Sequence, residues 1–146
     1  MPDTAPNGMT RDKALRQARL VALALLAGQV IFLAVAALLV ATGAIAPGPA
    51  ELSQPLAAAC IVVFAVLVPL AFILRRRLFE PRDPGATPEP ANLLKAHIVF
   101  FALCETVTLL CLVATLVHGA LVPGAILALL SMGVQVTNVP RAEDAA

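Results

Sequence analysis

Residues 93–117 read LLKAHIVFFALCETVTLLCLVATLV, a long and mainly apolar stretch with one acidic residue, Glu105. A helix needs about 20 apolar residues to cross a hydrocarbon core about 30 Å thick, so this stretch is long enough. Three further stretches qualify or nearly qualify, at residues 20–42, 55–74 and 121–137. The sequence therefore predicts an all-α membrane protein with four transmembrane helices.

The composition of the 146-residue chain supports this class. It is 60% hydrophobic and 13% charged, whereas a soluble domain is roughly 45–50% apolar and about 25% charged. A net charge of +1 argues against a nucleic-acid partner. The sequence contains no Walker A, GxSxG, HExxH or dinucleotide-binding motif. We therefore expect neither an enzyme nor a cofactor, and the lipid bilayer is the first expected partner.

The basic residues predict the orientation of the spans. Nine of the ten lysines and arginines lie before the first span, between the second and third, or after the fourth, and Lys95 is the third residue of the third span, at its cytoplasmic end. Because positive residues stay in the cytoplasm, both termini (1–18 and 140–146) and the 81–92 loop should be cytoplasmic. The first span exceeds the 7–15 residues typical of a signal-peptide core, so we expect it to be retained. The Ala-rich composition favours a bacterial inner membrane.

An internal repeat is visible when the chain is displaced by 76 residues. GAIAPG at 43–48 then aligns with GALVPG at 119–124, and Arg19 aligns with Lys95. In the same register Gln29 falls on Glu105. The alignment predicts a duplication into two parallel helical hairpins, at residues 19–80 and 93–139, related by an axis along the membrane normal.

The polar residues within the spans are the first candidates for a functional site. Glu105 lies ten residues beyond Lys95, hence about 15 Å deep and near the bilayer midplane. A carboxyl at that depth must be protonated, paired or facing water. Gln29 and Ser131 are predicted at a similar depth, so we expect an intramembrane polar cluster of Glu105, Gln29 and Ser131. The cluster either carries a proton, cation or ligand amine, or only fixes the helix register.

Two further features of the spans concern packing and lipid. A stripe of small and polar residues recurs at helical spacing along the fourth span, which favours close helix packing. Its members are Gly124, Ala128, Ser131, Gln135 and Asn138. A run of three basic residues, Arg75, Arg76 and Arg77, is predicted to contact lipid headgroups. The three cysteines lack CxxC spacing, so no metal site is expected.

Two resemblances extend this interpretation. Residues 24–35 (ALLAGQVIFLAV), the Glu105-bearing span and the terminal Pro140-Arg141 resemble a group of small bacterial four-helix membrane proteins with no assigned activity. Residues 104–117 (CETVTLLCLVATLV) are similar to the carboxylate helix of the ATP synthase proteolipid (c) subunit. That second resemblance implies a ring subunit whose Glu105 carries H⁺ or Na⁺. Span two, however, lacks the closely spaced glycines of that family.

Three function classes follow from the sequence. The first is a small integral membrane protein that stabilises or assembles a membrane complex, with a membrane-protein partner or as a homo-oligomer. The second is a proton- or cation-linked membrane component that uses Glu105. The third, a membrane enzyme, is disfavoured because the spans hold one acid and no central His or Lys.

Overall fold

The computed structural model describes residues 10–46, 48–79, 89–119 and 121–140. Over those ranges the chain forms four α-helices and no strand: α1 (Arg11–Ala41), α2 (Ala50–Phe79), α3 (Pro90–His118) and α4 (Gly124–Thr137). The predicted N-terminal segment up to residue 9, most of the 81–92 loop and the tail from residue 141 lie outside the described residues.

Three of the helices are long and apolar enough to cross a membrane, namely α1, residues 54–79 of α2, and α3. The fourth is shorter than the predicted 121–137 stretch. It has 14 residues, or about 21 Å at 1.5 Å per residue. Residues 122–123 form a turn immediately before it.

Helix α1 begins earlier than the predicted boundary at residue 20. Thr10 caps it, accepting a hydrogen bond at 3.4 Å from the backbone N–H of Lys13. Arg, Lys, Ala, Leu and Gln in the first turns all favour helix. Hydropathy identifies only the apolar segment that can lie in the membrane. The predicted boundary therefore places the charged first turns of the helix in the N-terminal segment.

Helix α3 is the centre of the fold. It packs against α1, α2 and α4, and α4 also touches both α1 and α2. Two buried apolar clusters lie along α3, one with Phe100, Phe101 and Cys104 and the other with Val107, Cys111 and Leu112. The α3 side chains are accordingly the most buried of any helix.

The predicted first hairpin is not a packed unit. Within the described ranges α1 and α2 do not contact each other, because α3 lies between them. The connection between them meets the end of α3, where the N–H of Gly48 donates to the carbonyl of His118 at 3.3 Å. A Cβ at Gly48 would overlap the carbonyl oxygen of Val117, so this close approach requires glycine.

The turns that end α1 and α3 are nevertheless alike. Gly43 has φ +67° and Gly119 has φ +68°, both in the left-handed region that favours glycine. These two glycines are equivalent in the 76-residue alignment. The two predicted hairpins differ in their packing, since α3 packs on α4 while α1 does not pack on α2.

Candidate functional site

Four of the buried polar side chains, on three helices, form one hydrogen-bonded group. Gln29 of α1 and Gln135 of α4 form a reciprocal amide pair, each Nε2 donating to the other's Oε1 at 3.1 Å. The Gln135 Nε2 also donates to Thr108 Oγ1 of α3 at 3.3 Å. The three side chains are at most 1% exposed.

A backbone carbonyl of α3 completes the group. The hydroxyls of Thr108 and Ser131 both donate to the carbonyl oxygen of Cys104, each at 3.0 Å. A carbonyl has two lone pairs and can accept both bonds. We call Gln29, Thr108, Ser131 and Gln135 the interior polar network. The neutral amides and hydroxyls of this network link α1, α3 and α4 by hydrogen bonds at one depth of the helix bundle.

Glu105 is not part of this network. Its side chain is half-buried, and among the described residues it makes no hydrogen bond or ion pair. Cys104 and Thr108 are buried whereas Glu105 is only half-buried, so Glu105 lies at the margin of the side of α3 that carries the network. The structure thus brings Gln29 and Ser131 into one network, and the partner expected for Gln29 is replaced by Gln135.

The predicted α4 stripe is buried against α3. Gly124, Ala128, Ser131 and Gln135 are buried, and Asn138 is half-buried. A Cβ at Gly124 would overlap Thr115 Oγ1 and lie 2.6 Å from the Cys111 carbonyl oxygen. Small residues on α4 therefore allow the two backbones to approach closely.

The three arginines at the end of α2 do not share one environment. Arg75 is half-buried, and its Nη1 donates to Asn138 Oδ1 at 2.6 Å. Its guanidinium also lies 5.5 Å from the ring centre of Phe79 and 5.2 Å from that of Phe100. The expected headgroup contact is therefore a helix-to-helix contact for Arg75, because the planar guanidinium stacks on aromatic rings. Arg76 and Arg77 are exposed.

The cysteines and histidines occupy separate places. Cys60, Cys104 and Cys111 are buried and reduced, and His97 lies edge-on to the Phe79 ring at 5.4 Å. No group of three or more His, Cys, Asp or Glu side chains in the described part of the chain is arranged to hold a metal ion. A small pocket near the end of α3 is lined by Cys60, Thr115 and His118, and Glu105 is not among its residues.

Sequence reasoning missed Gln135 as a partner for Gln29, placing it only in the packing stripe. A chemical signal could have identified it, because two primary amides in separate apolar spans can each donate a hydrogen bond to the other. Counting residues from the membrane surface selects Ser131 instead, because the predicted fourth span begins at residue 121, three residues before α4 begins. Comparison with known protein families, with curated proteins and with solved structures finds no match.

Proposed function

We propose that the chain is an integral protein of a bacterial inner membrane, with four spans and both termini in the cytoplasm. The apolar lengths of α1, α2 and α3 support insertion. The segregation of all ten basic residues supports the orientation. Helix α4 is short, but local thinning of the bilayer and the flanking turns can accommodate about 21 Å. The duplication is part of this proposal, supported by the matched turns at Gly43 and Gly119.

We propose that this membrane protein has a structural role, as an assembly partner of a membrane complex rather than as an enzyme. The single observation that carries it is the contrast between the interior polar network and Glu105. The four network side chains have partners inside the chain. Glu105 has none among the described residues and is half-buried at the edge of α3.

The energetic argument concerns the position of that carboxyl. An acidic side chain near the bilayer centre costs about 2–3 kcal/mol or more when it faces lipid. A partner group that hydrogen-bonds Glu105 would remove part of this cost. Glu105 therefore favours association at its own face of α3, whereas the interior network holds the helices together.

The test is purification of the protein from native membranes in mild detergent, with identification of what comes with it. We expect a stoichiometric membrane-protein assembly with the wild type and its loss with Glu105→Leu. Glu105→Gln keeps hydrogen bonding and should retain the assembly. The matched control is Glu51→Leu, which removes an exposed acid at the start of α2. An unchanged assembly with Glu105→Leu would contradict the proposal.

The second candidate is a proton- or cation-linked component that uses Glu105. It is favoured by the half-exposed position of the carboxyl outside the hydrogen-bonded interior, where an ion could reach it. Here Glu105→Gln has the opposite expected effect, because an amide cannot release a proton. A flux assay in proteoliposomes separates the two: loss of flux with Glu105→Gln and an intact assembly would favour the carrier.

A further inference from the structure

Two buried thiols meet at the contact between α2 and α3. Cys60 of α2 is 2% exposed and Cys111 of α3 is fully buried, and both belong to the same apolar cluster. The Cys111 thiol interacts directly with that of Cys60 through a side-chain hydrogen bond. We call these two residues the thiol pair. The third cysteine, Cys104, belongs to the other cluster and lies two turns from Cys111 along α3.

The pocket near the end of α3 reaches this pair. Its wall includes Cys60 and, on α3, Ala114 and Thr115, which lie one turn beyond Cys111. It is partly open to the outside of the bundle and has room for about one water-sized molecule. A reactant of about that size can therefore approach the Cys60 sulfur, whereas the pocket excludes larger reagents.

We propose that Cys60 and Cys111 form a peroxide-sensitive site that becomes a disulfide between α2 and α3. The Cys60 sulfur attacks one oxygen of hydrogen peroxide, the O–O bond breaks, and the other oxygen leaves as water with the thiol proton. Cys60 is then a sulfenic acid. The Cys111 sulfur attacks that sulfur and displaces the hydroxyl, which takes the Cys111 proton and leaves as a second water. Two thiols are thus oxidised to one disulfide while the peroxide is reduced to two waters.

A disulfide suits these surroundings better than a bound metal ion. Its formation removes both thiol protons and leaves no charge, so the product can remain in the apolar cluster. A metal ion would instead hold two thiolates there. No group of three or more His, Cys, Asp or Glu side chains within the described ranges is arranged to complete its coordination.

The disulfide would secure a helix that the interior polar network leaves out. That network has its members on α1, α3 and α4, whereas α2 packs on α3 through apolar and aromatic side chains such as Phe72 and Phe100. Oxidation therefore adds a covalent link where the reduced protein relies on packing. In the proposed orientation the pocket lies at the outer end of the bundle, where disulfides persist in bacteria. The reaction itself does not depend on that orientation.

Counting the free thiols of the purified full-length protein in detergent tests the site. Hydrogen peroxide should remove two of the three alkylatable thiols, whereas tert-butyl hydroperoxide, which is too large for the pocket, should leave all three. Digestion with chymotrypsin without reductant identifies the linked pair, because Leu109 and Leu110 place cleavage sites between Cys104 and Cys111. Three thiols that survive hydrogen peroxide, a link that includes Cys104, or equal losses with the two peroxides would overturn the proposal.

Single serine variants test the order of the two steps. Cys111→Ser should leave Cys60 as a sulfenic acid that dimedone labels, whereas Cys60→Ser should give no label at Cys111. Cys104→Ser is the matched control and should form the same disulfide as the wild type, with circular dichroism checking that each variant keeps its helices. Equal labelling of Cys111 in Cys60→Ser and of Cys60 in Cys111→Ser would overturn the assigned order. None of these results depends on Glu105, so the thiol site and the assembly role stand or fall separately.

Discussion

We expect Gln135→Leu to destabilise the folded protein by about 3–5 kcal/mol. The substitution removes both amide bonds to Gln29, at 3.1 Å, and the bond to Thr108, at 3.3 Å. Interhelical hydrogen bonds in membranes average about 0.6 kcal/mol, so three contribute about 2 kcal/mol. The amide of Gln29 is then buried without its partner, which adds about 1–3 kcal/mol. Thr108 keeps its bond to the Cys104 carbonyl.

The double variant Gln29→Leu with Gln135→Leu makes this reasoning refutable. Replacing both partners by apolar groups of similar shape is close to neutral, so the double variant should be more stable than Gln135→Leu alone. The measurement is the free energy of unfolding in bicelles for the wild type, both single variants and the double variant. Thr137→Val is the control, because its exposed hydroxyl lies outside the network: it donates to carbonyls of its own helix and accepts from the adjacent Asn138 amide. A double variant destabilised by the sum of the singles would refute a coupled amide pair.

Two further substitutions test the contacts around the network, and each has a paired control. Gly124→Ala should lower the stability by about 1–3 kcal/mol because its Cβ overlaps α3. Gly133→Ala has open space around its Cβ and should be neutral or stabilising by up to about 1 kcal/mol. Equal melting temperatures of the two variants would contradict the close approach of α4 to α3. Arg75→Leu should cost about 1.5–3 kcal/mol through its bond to Asn138, whereas the exposed Arg77→Leu should change the stability by less than about 0.5 kcal/mol. Chemical denaturation in detergent measures the free energy of unfolding of both arginine variants. Equal losses of stability would show that the Arg75 side chain contributes only its charge.

The helical class was predictable because hydropathy over about 20 residues is a local property of the sequence. The turn glycines were predictable for the same reason, since Gly43 and Gly119 end apolar runs in matching hexapeptides. The helix boundaries were less predictable. Residues 11–19 are compatible with both a helix and an irregular cytoplasmic segment, and the N-cap at Thr10 identifies them as the first turns of α1.

The arrangement of the helices could not be read from spacing alone. Adjacent spans joined by a short turn are expected to pack as a hairpin, yet α3 lies between α1 and α2. That placement depends on tertiary fit, including the close contact of Gly48 with Val117. Nor does depth identify partners, because Gln29 and Glu105 differ in the direction they face rather than in their predicted level.

The contrast between positions 29 and 105 is the strongest physical argument for association. These positions are equivalent in the 76-residue alignment, and one carries an amide while the other carries a carboxyl. The amide of Gln29 is buried and bonds to Gln135 at any pH, because it does not titrate. A carboxyl has the same reach and similar size, but its ionised form is costly in lipid. A glutamine at position 105 would satisfy a purely structural contact at lower cost. The carboxyl therefore needs a partner that the described residues do not supply, and purification of Glu105→Leu beside the wild type from native membranes tests for that partner.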